Sequence, residues 1–260
     1  MRQGFLLGMH DIAMVAADTS RSRAYLQALA RNNLVPNYVL ILDDTSDETM
    51  PGQLDNPYLD TKAAHFEDVN ECWSEVCFDL TQPIKILLDQ HAIPYEVSGS
   101  RDINDPSVVR LISRRHERVF IYSGFGGAIL GKNILTIGKD FLHVHGGYLP
   151  DFKGSTSNYF SLIAESCLGA SAIFLTDKID GGPILHRRKF PPPQNRQLIE
   201  HRYDSAARAK VLVESIQKYL KNGEWEFELP SNSDGETYYI IHPVLKHLAI
   251  LGQDRESWGS

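Results

Sequence analysis

The stretch Phe141–Leu142–His143–Val144–His145–Gly146–Gly147–Tyr148–Leu149–Pro150 is an alternating run that stops abruptly. Side chains of a strand alternate between two faces, so Phe141, His143 and His145 share one side while Leu142 and Val144 take the other. Gly146–Gly147 ends the strand and lets backbone or a ligand come close, and Leu149–Pro150 starts a fixed exit. Two imidazoles at one strand end are suited to holding polar groups at a cleft.

Outward from this strand, apolar runs alternate with helical patterns. Before it, Ile12–Ala17 and Tyr38–Leu42 are strand-like and flank an amphipathic stretch from Ser20 to Asn32. Ile84–Gln90 has helical spacing, Tyr95–Val97 is a short strand, Ser107–Arg114 is a helix opened by Asp105–Pro106, and Val119–Tyr122 is a buried-strand run. Gly126–Leu130 opens a turn or helix. After it, Ser157–Leu168 reads as a helix, and Ala170–Phe174 and Pro183–Phe190 read as strands flanking a turn at Asp180–Gly181–Gly182. Arg196–Asn222 is a long amphipathic pattern, Thr237–Ile241 is strand-like and Leu245–Leu251 is a short apolar helix. The order predicts an α/β fold: an open, mainly parallel Rossmann-like sheet with helices on both faces and a small C-terminal helix and strand tail. In such sheets ligands lie beyond the carboxyl ends of the strands, here Ser123–Phe125 and His145–Gly147. The run Ser123–Gly124–Phe125–Gly126–Gly127 lacks the dinucleotide-binding spacing with a downstream acidic partner.

The 260 residues, 42% of them apolar, are enough for one main domain and a modest appendage. No apolar run reaches membrane-spanning length, and Phe5–Leu6–Leu7 is too short for the core of a signal peptide, so a cytoplasmic location and no membrane partner are expected. Cys72, Cys77 and Cys167 are odd in number and lack zinc spacing, which assigns them to packing as reduced thiols. The formal net charge is −7, and the polar, Pro/Gly-punctuated connection over 43–79 carries many acids against the single base Lys62. That sign repels a polyphosphate backbone and disfavours nucleic acid as a partner. A connection of this length reads as a solvated acidic face or as a segment folding over a cleft.

The spaced elements His143–Val144–His145, Leu149–Pro150, Lys153–Gly154 and Asp180–Gly181–Gly182–Pro183–Ile184 resemble the signature of the formyltransferases that use 10-formyltetrahydrofolate. That signature is Asn-x-His at a strand end, Leu-Pro, a basic residue with Gly, and Asp-x-Gly-Pro-Ile. The resemblance covers about residues 83–190, and it departs where His143 stands for the family Asn and Gly146–Gly147 for the usual Pro-Ser. It implies a formyltransferase catalytic domain over 1–190 with a C-terminal extension over 191–260. It also implies 10-formyltetrahydrofolate as co-substrate with no metal. In size and layout the likeness is greatest to the sugar-nucleotide N-formyltransferases. The tail is too short for a tRNA-binding barrel, so the expected acceptor is a small amine, a nucleotide-linked amino sugar. Folate, that acceptor and a second copy in a homodimer are the partners this reading carries.

Formyl transfer passes through a tetrahedral intermediate with charge on oxygen while the attacking amine sheds a proton, so the site needs donors and an acid–base group. By resemblance, His145 is the oxyanion donor, Asp180 its acidic partner, and His143 a second donor at the Asn position. Ser123, Gly124, Phe125, Gly126, Ile129 and Leu130 are implied to border the folate, with Phe125 and Ile129 as its walls or as core residues. Gly147 and Lys153 fall on the acceptor side, although Lys153 equally suits a solvated surface. The basic run His186–Arg187–Arg188–Lys189 reads as surface charge rather than a phosphate site, since a strand aims only alternate residues one way. Three other readings stay open. His143 and His145 can grip a metal with Asp180; water can replace the amine, giving formyltetrahydrofolate hydrolysis; and His143 in place of Asn fits a silent folate- or sugar-nucleotide-binding relative.

Overall fold

The computed structural model describes residues 9–44, 71–228 and 235–252. These fall into two compact units, one holding 9–44 and 78–143, the other 71–77, 144–228 and 235–252. Most of the acidic 43–79 connection and the Phe5–Leu7 run lie outside the described residues.

The first unit is built on parallel strands. β1 (Ile12–Ala16) pairs with β2 (Val39–Ile41) on one side and with β4 (Val119–Ser123) on the other, and β2 pairs with β3 (Tyr95–Val97). β1, β2 and β4 are buried along their whole length, as continuous apolar runs covered on both faces must be. The helices α1 (Ser20–Arg31), α3 (Ile84–Gln90) and α4 (Pro106–Ser113) connect them, with α2 (Glu71–Ser74) preceding α3 in the chain. Thr19 caps α1 by accepting from the Ser22 amide, and Asp105 caps α4 by accepting from Ser107 with Pro106 just inside the helix. The strand order reverses at β1, which places the carboxyl ends of β1 and β4 side by side, with Ala16 opposite Ser123.

After α5 (Lys132–Leu135) comes β5 (Asp140–His145), which begins in the first unit, paired to β4, and ends in the second. In the second unit β7 (Leu168–Phe174) is wholly buried and runs antiparallel to β8 (Ile184–Phe190), while β6 (Phe152–Gly154) pairs in parallel with β9 (Glu236–Tyr238). The main sheet has the order β3-β2-β1-β4-β5-β7-β8. The α/β fold expected from the alternation is therefore the fold observed: a mostly parallel sheet with helices around it and a small C-terminal helix and strand.

Against β7 and β8 lies α7 (Asp204–Asn222), ended by Gly223 in the left-handed conformation. The amphipathic pattern from Arg196 opens as a 3₁₀ turn and a π turn and becomes a regular helix only at Asp204. The helix expected over Ser157–Leu168 is shorter: α6 (Ser157–Glu165) stops where Ser166 turns left-handed, and Leu168 already belongs to β7. α8 (Pro243–Leu251) closes the described chain. Trp73 is fully buried, stacked on Phe190 with centroids 5.4 Å apart and edge-on to Tyr203 at 4.9 Å, and this anchors the 71–77 segment to the second unit. The three cysteines are free, as the odd count indicates, and partly buried. No helix among the described residues is long and apolar enough to cross a membrane.

Candidate active site

His145, the last residue of β5, is buried, with 5% of its surface exposed. Its Nδ1 lies 3.3 Å from Oδ1 of Asp180, and its Nε2 lies 2.8 Å from the carbonyl oxygen of Phe152. Both ring nitrogens thus face oxygen acceptors, and both contacts are satisfied when each nitrogen carries a hydrogen. Ser157 Oγ, 3.3 Å from Nε2, donates to the Gly154 carbonyl at 3.2 Å. Asp180 is in turn fixed by its own backbone, which is left-handed at φ 50°, and by the Gly154 amide, which donates to Oδ2 at 2.8 Å. The turn Asp180–Gly181–Gly182 folds tightly enough that a Cβ on Gly182 would overlap the Phe174 carbonyl.

Gly147 is needed for the same reason. A Cβ there would come 2.5 Å from the Phe152 oxygen and 2.7 Å from His145 Nε2, so a side chain would enter the very contact that orients the imidazole. Its carbonyl accepts from Ser171 Oγ at 2.7 Å, and that hydroxyl accepts from the Leu149 amide at 2.9 Å. Gly147 therefore serves as close-packed support for His145. Lys153 sits in β6, half-buried, in register with Thr237 of β9.

His143 belongs to the first unit. Its Nδ1 is 3.4 Å from the Tyr122 carbonyl and its ring is 6.1 Å from the Tyr122 ring. Burial holds the Tyr122 phenol up at about 12, and its oxygen has no hydrogen-bond partner. Among the described residues no group of three or more His, Cys, Asp or Glu is arranged to hold a metal ion, so the metal reading of His143, His145 and Asp180 finds no cluster.

The Ser123–Leu130 segment leaves β4 at the reversal of strand order. Ser123 is fully buried and its hydroxyl is occupied, 2.8 Å from Ser22 Oγ and accepting from Arg21 Nε at 3.2 Å. Arg21 also donates to the Gly124 carbonyl. Gly124 lies so close to the Tyr122 ring that a Cβ would clash with it, whereas Gly126 faces open space. Phe125 is half-buried beneath the guanidinium of Arg101, 4.3 Å from the ring centroid. Ile129 is 66% exposed and Leu130 is buried, so of the two proposed walls Ile129 is free of the core. Gly126–Leu130 forms a turn, and Asn104 clamps its end: Nδ2 donates to the Ile129 carbonyl at 2.9 Å and Oδ1 accepts from the Gly131 amide at 2.6 Å. Arg21, Arg101 and Asn104 were not singled out from sequence, because each acts on a partner far along the chain; a polar residue just before a helix start was the one available signal, for Asn104.

The basic run on β8 is fully engaged. Arg187 pairs with Glu228 at 2.6 Å, His186 and Arg188 pair with Glu214 at 2.9 and 2.6 Å, and Lys189 pairs with Glu165 at 2.6 Å. It reads as matched surface charge, as the alternation indicated.

No family model matches the chain. In sequence it is similar to methionyl-tRNA formyltransferase of Rhodopirellula baltica, 24% identical over 111 residues, covering 42% of this chain and 32% of that protein. The corresponding protein of Herpetosiphon aurantiacus is 30% identical over 111 residues, 42% of this chain and 35% of that one. Formyltetrahydrofolate deformylase 1 of Arabidopsis thaliana is 26% identical over 103 residues, 38% and 31%. The chain spans about a third of the length of these curated relatives. In fold it is similar to a sugar N-formyltransferase from a Shewanella species, with TM-score 0.55 and 13% identity over 92% of this chain and 86% of that one. It is also similar to an N-formyltransferase from Helicobacter canadensis, with TM-score 0.54 and 13% identity over 88% and 71%. Over about two fifths of the chain the sequence is similar to methionyl-tRNA formyltransferases and a formyltetrahydrofolate deformylase, and over most of the chain the fold is similar to that of N-formyltransferases.

Proposed function

We propose that this chain transfers the formyl group of 10-formyltetrahydrofolate to the amino group of a small acceptor, and that His145 and Asp180 carry the acid–base work. The carrying observation is the buried contact of His145 Nδ1 with Asp180 at the end of β5. In the reaction the acceptor nitrogen attacks the formyl carbon, the carbonyl becomes an oxyanion, the bond to folate N10 breaks, and a proton passes from the amine to N10. His145 keeps one N–H on Asp180, while the other, now on the Phe152 carbonyl, is the hydrogen that can be re-aimed at the oxyanion. Asp180 stabilises the charged ring and is the nearby base for the amine proton. His143 supplies a second N–H from the Asn position. The turn around Phe125 and exposed Ile129, pinned by Asn104, is the folate border, and Gly147 and Lys153 lie toward the acceptor. Residues 1–190 act as the catalytic domain and 191–260 as its extension.

A nucleotide-linked amino sugar is the acceptor class we favour. The Helicobacter canadensis protein of similar fold is described in complex with folinic acid and dTDP-3-aminofucose, and the net charge of −7 disfavours a tRNA. Hydrolysis is the second reading, supported by similarity to the Arabidopsis deformylase. Incubation with 10-formyltetrahydrofolate and a panel of amino-sugar nucleotides, read by mass spectrometry, tests both. A mass gain of one formyl on an acceptor supports transfer; free formate without an acceptor product replaces it with hydrolysis. Turnover of neither kind leaves the silent binding relative.

A further inference from the structure

Gly146 is bare because a guanidinium occupies the space of its side chain. A Cβ at Gly146 would overlap Arg208 Nη2 and Asp204 Oδ1, both on the first turns of α7. Arg208 Nη1 donates to the carbonyl oxygen of Val144 at 2.9 Å, and Arg208 Nε is ion-paired to Asp204 Oδ2 at 2.8 Å. The other oxygen of Asp204 accepts from Asn158 Nδ2 at 2.8 Å, and Asn158 Oδ1 accepts from the Gly169 amide at 2.8 Å. Asn158 is 4% exposed. One polar chain therefore runs from the start of β7 through α6 and α7 to the end of β5.

We propose that Arg208 is a positioning residue for His145, and that Gly146 and the Asn158–Asp204 pair exist to seat it. The Val144 carbonyl and the His145 amide belong to one rigid peptide plane. Holding that oxygen fixes the plane from which the His145 side chain departs, one bond before its Cα. The ring is then aimed so that Nδ1 lies 3.3 Å from Asp180 and Nε2 2.8 Å from the Phe152 oxygen. A charged donor on a buried carbonyl, itself neutralised by Asp204, holds this geometry more firmly than a neutral one. The replacement of the usual Pro-Ser by Gly146–Gly147 acquires a physical reason: any side chain at 146 would displace the guanidinium.

The inference rests on the catalytic reading of His145, so its test has a readout independent of turnover. In protein with ¹⁵N-labelled histidine, Arg208→Gln should shift the His145 ring resonances and broaden its N–H signals, while Arg208→Lys, which keeps a charged donor, should stay near wild type. In the transfer assay kcat of Arg208→Gln should fall by about tenfold to a hundredfold with KM for both substrates nearly unchanged, and Arg208→Lys should recover most of it. Gly146→Ala should reproduce the resonance shift in a wild-type background and add little to Arg208→Gln, since the two remove the same contact. Unmoved His145 resonances in folded Arg208→Gln overturn the proposal, and so does a loss confined to KM. Should Arg208→Gln not fold, Arg208→Lys and Gly146→Ala decide by the same spectra. Wild-type protein without transfer activity overturns the functional reading alone.

Discussion

Nδ1 of His145 lies 3.3 Å from Oδ1 of Asp180, and each of the two residues makes a second contact that supports this one. The ring is held from its far side by the Phe152 carbonyl and the carboxylate by the Gly154 amide, so two residues remote in sequence form one preorganised pair.

Removing either member should cost turnover. His145→Ala and Asp180→Asn are each expected to lower kcat by roughly a hundredfold or more, as for loss of an oxyanion or acid–base group. Circular dichroism should show the fold retained. Near wild-type kcat in either folded variant would remove the pair from the mechanism.

Gly147→Ala should act on the same pair through sterics. The new methyl would press on the Phe152 oxygen and on His145 Nε2, and backbone at both ends cannot move freely. A stability loss of about 1–3 kcal/mol is expected, with a fall in kcat. Denaturant melts and steady-state kinetics measure the two effects.

Ile129 separates a binding role from a packing role, because it is 66% exposed. Ile129→Glu should leave the melting temperature close to wild type while weakening binding of a non-reactive folate analogue by roughly tenfold or more. Isothermal titration calorimetry reads the affinity. Unchanged affinity would move the folate border away from this turn.

His143 stands where the resembling family has Asn. If its N–H serves the oxyanion, His143→Asn should keep substantial turnover and His143→Ala should lose most of it, giving the order wild type, Asn, Ala. Equal kcat in all three would make His143 a bystander.

Glu117 sets an acid limit on the first unit. It is fully buried, and although that burial alone would raise its pKa, hydrogen bonds from Arg115, its own amide and Asn37, together with the Arg115 charge, bring it down to about 2. A carboxylate held below its ordinary value contributes stability that is fully present above about 4.5 and lost as pH falls toward 2. Thermal melts should therefore decline across that window in wild type and decline less in Glu117→Gln, which should itself be less stable at neutral pH by about 1–3 kcal/mol.

The amino-acid sequence by itself determined the elements. Continuous apolar runs such as Ile12–Ala17 and Val119–Tyr122 read as strands covered on both faces, and a stretch such as Ser107–Arg114, opened by Asp105–Pro106, reads as a helix, because period and capping are local properties. The alternation of β5 and the Gly-Gly stop also mark His145 as a strand-end residue, and the resemblance to the formyltransferase signature marks Asp180. Only the tertiary structure decided which partners those groups meet. The Phe152 carbonyl behind His145, the clamp of Asn104 on the Ile129 turn, and the guanidinium of Arg208 over Gly146 all join residues far apart in sequence. A hydrogen bond of that kind leaves no period in the chain: it depends on where two backbones come to rest after packing, and one polar side chain reads like another until they do.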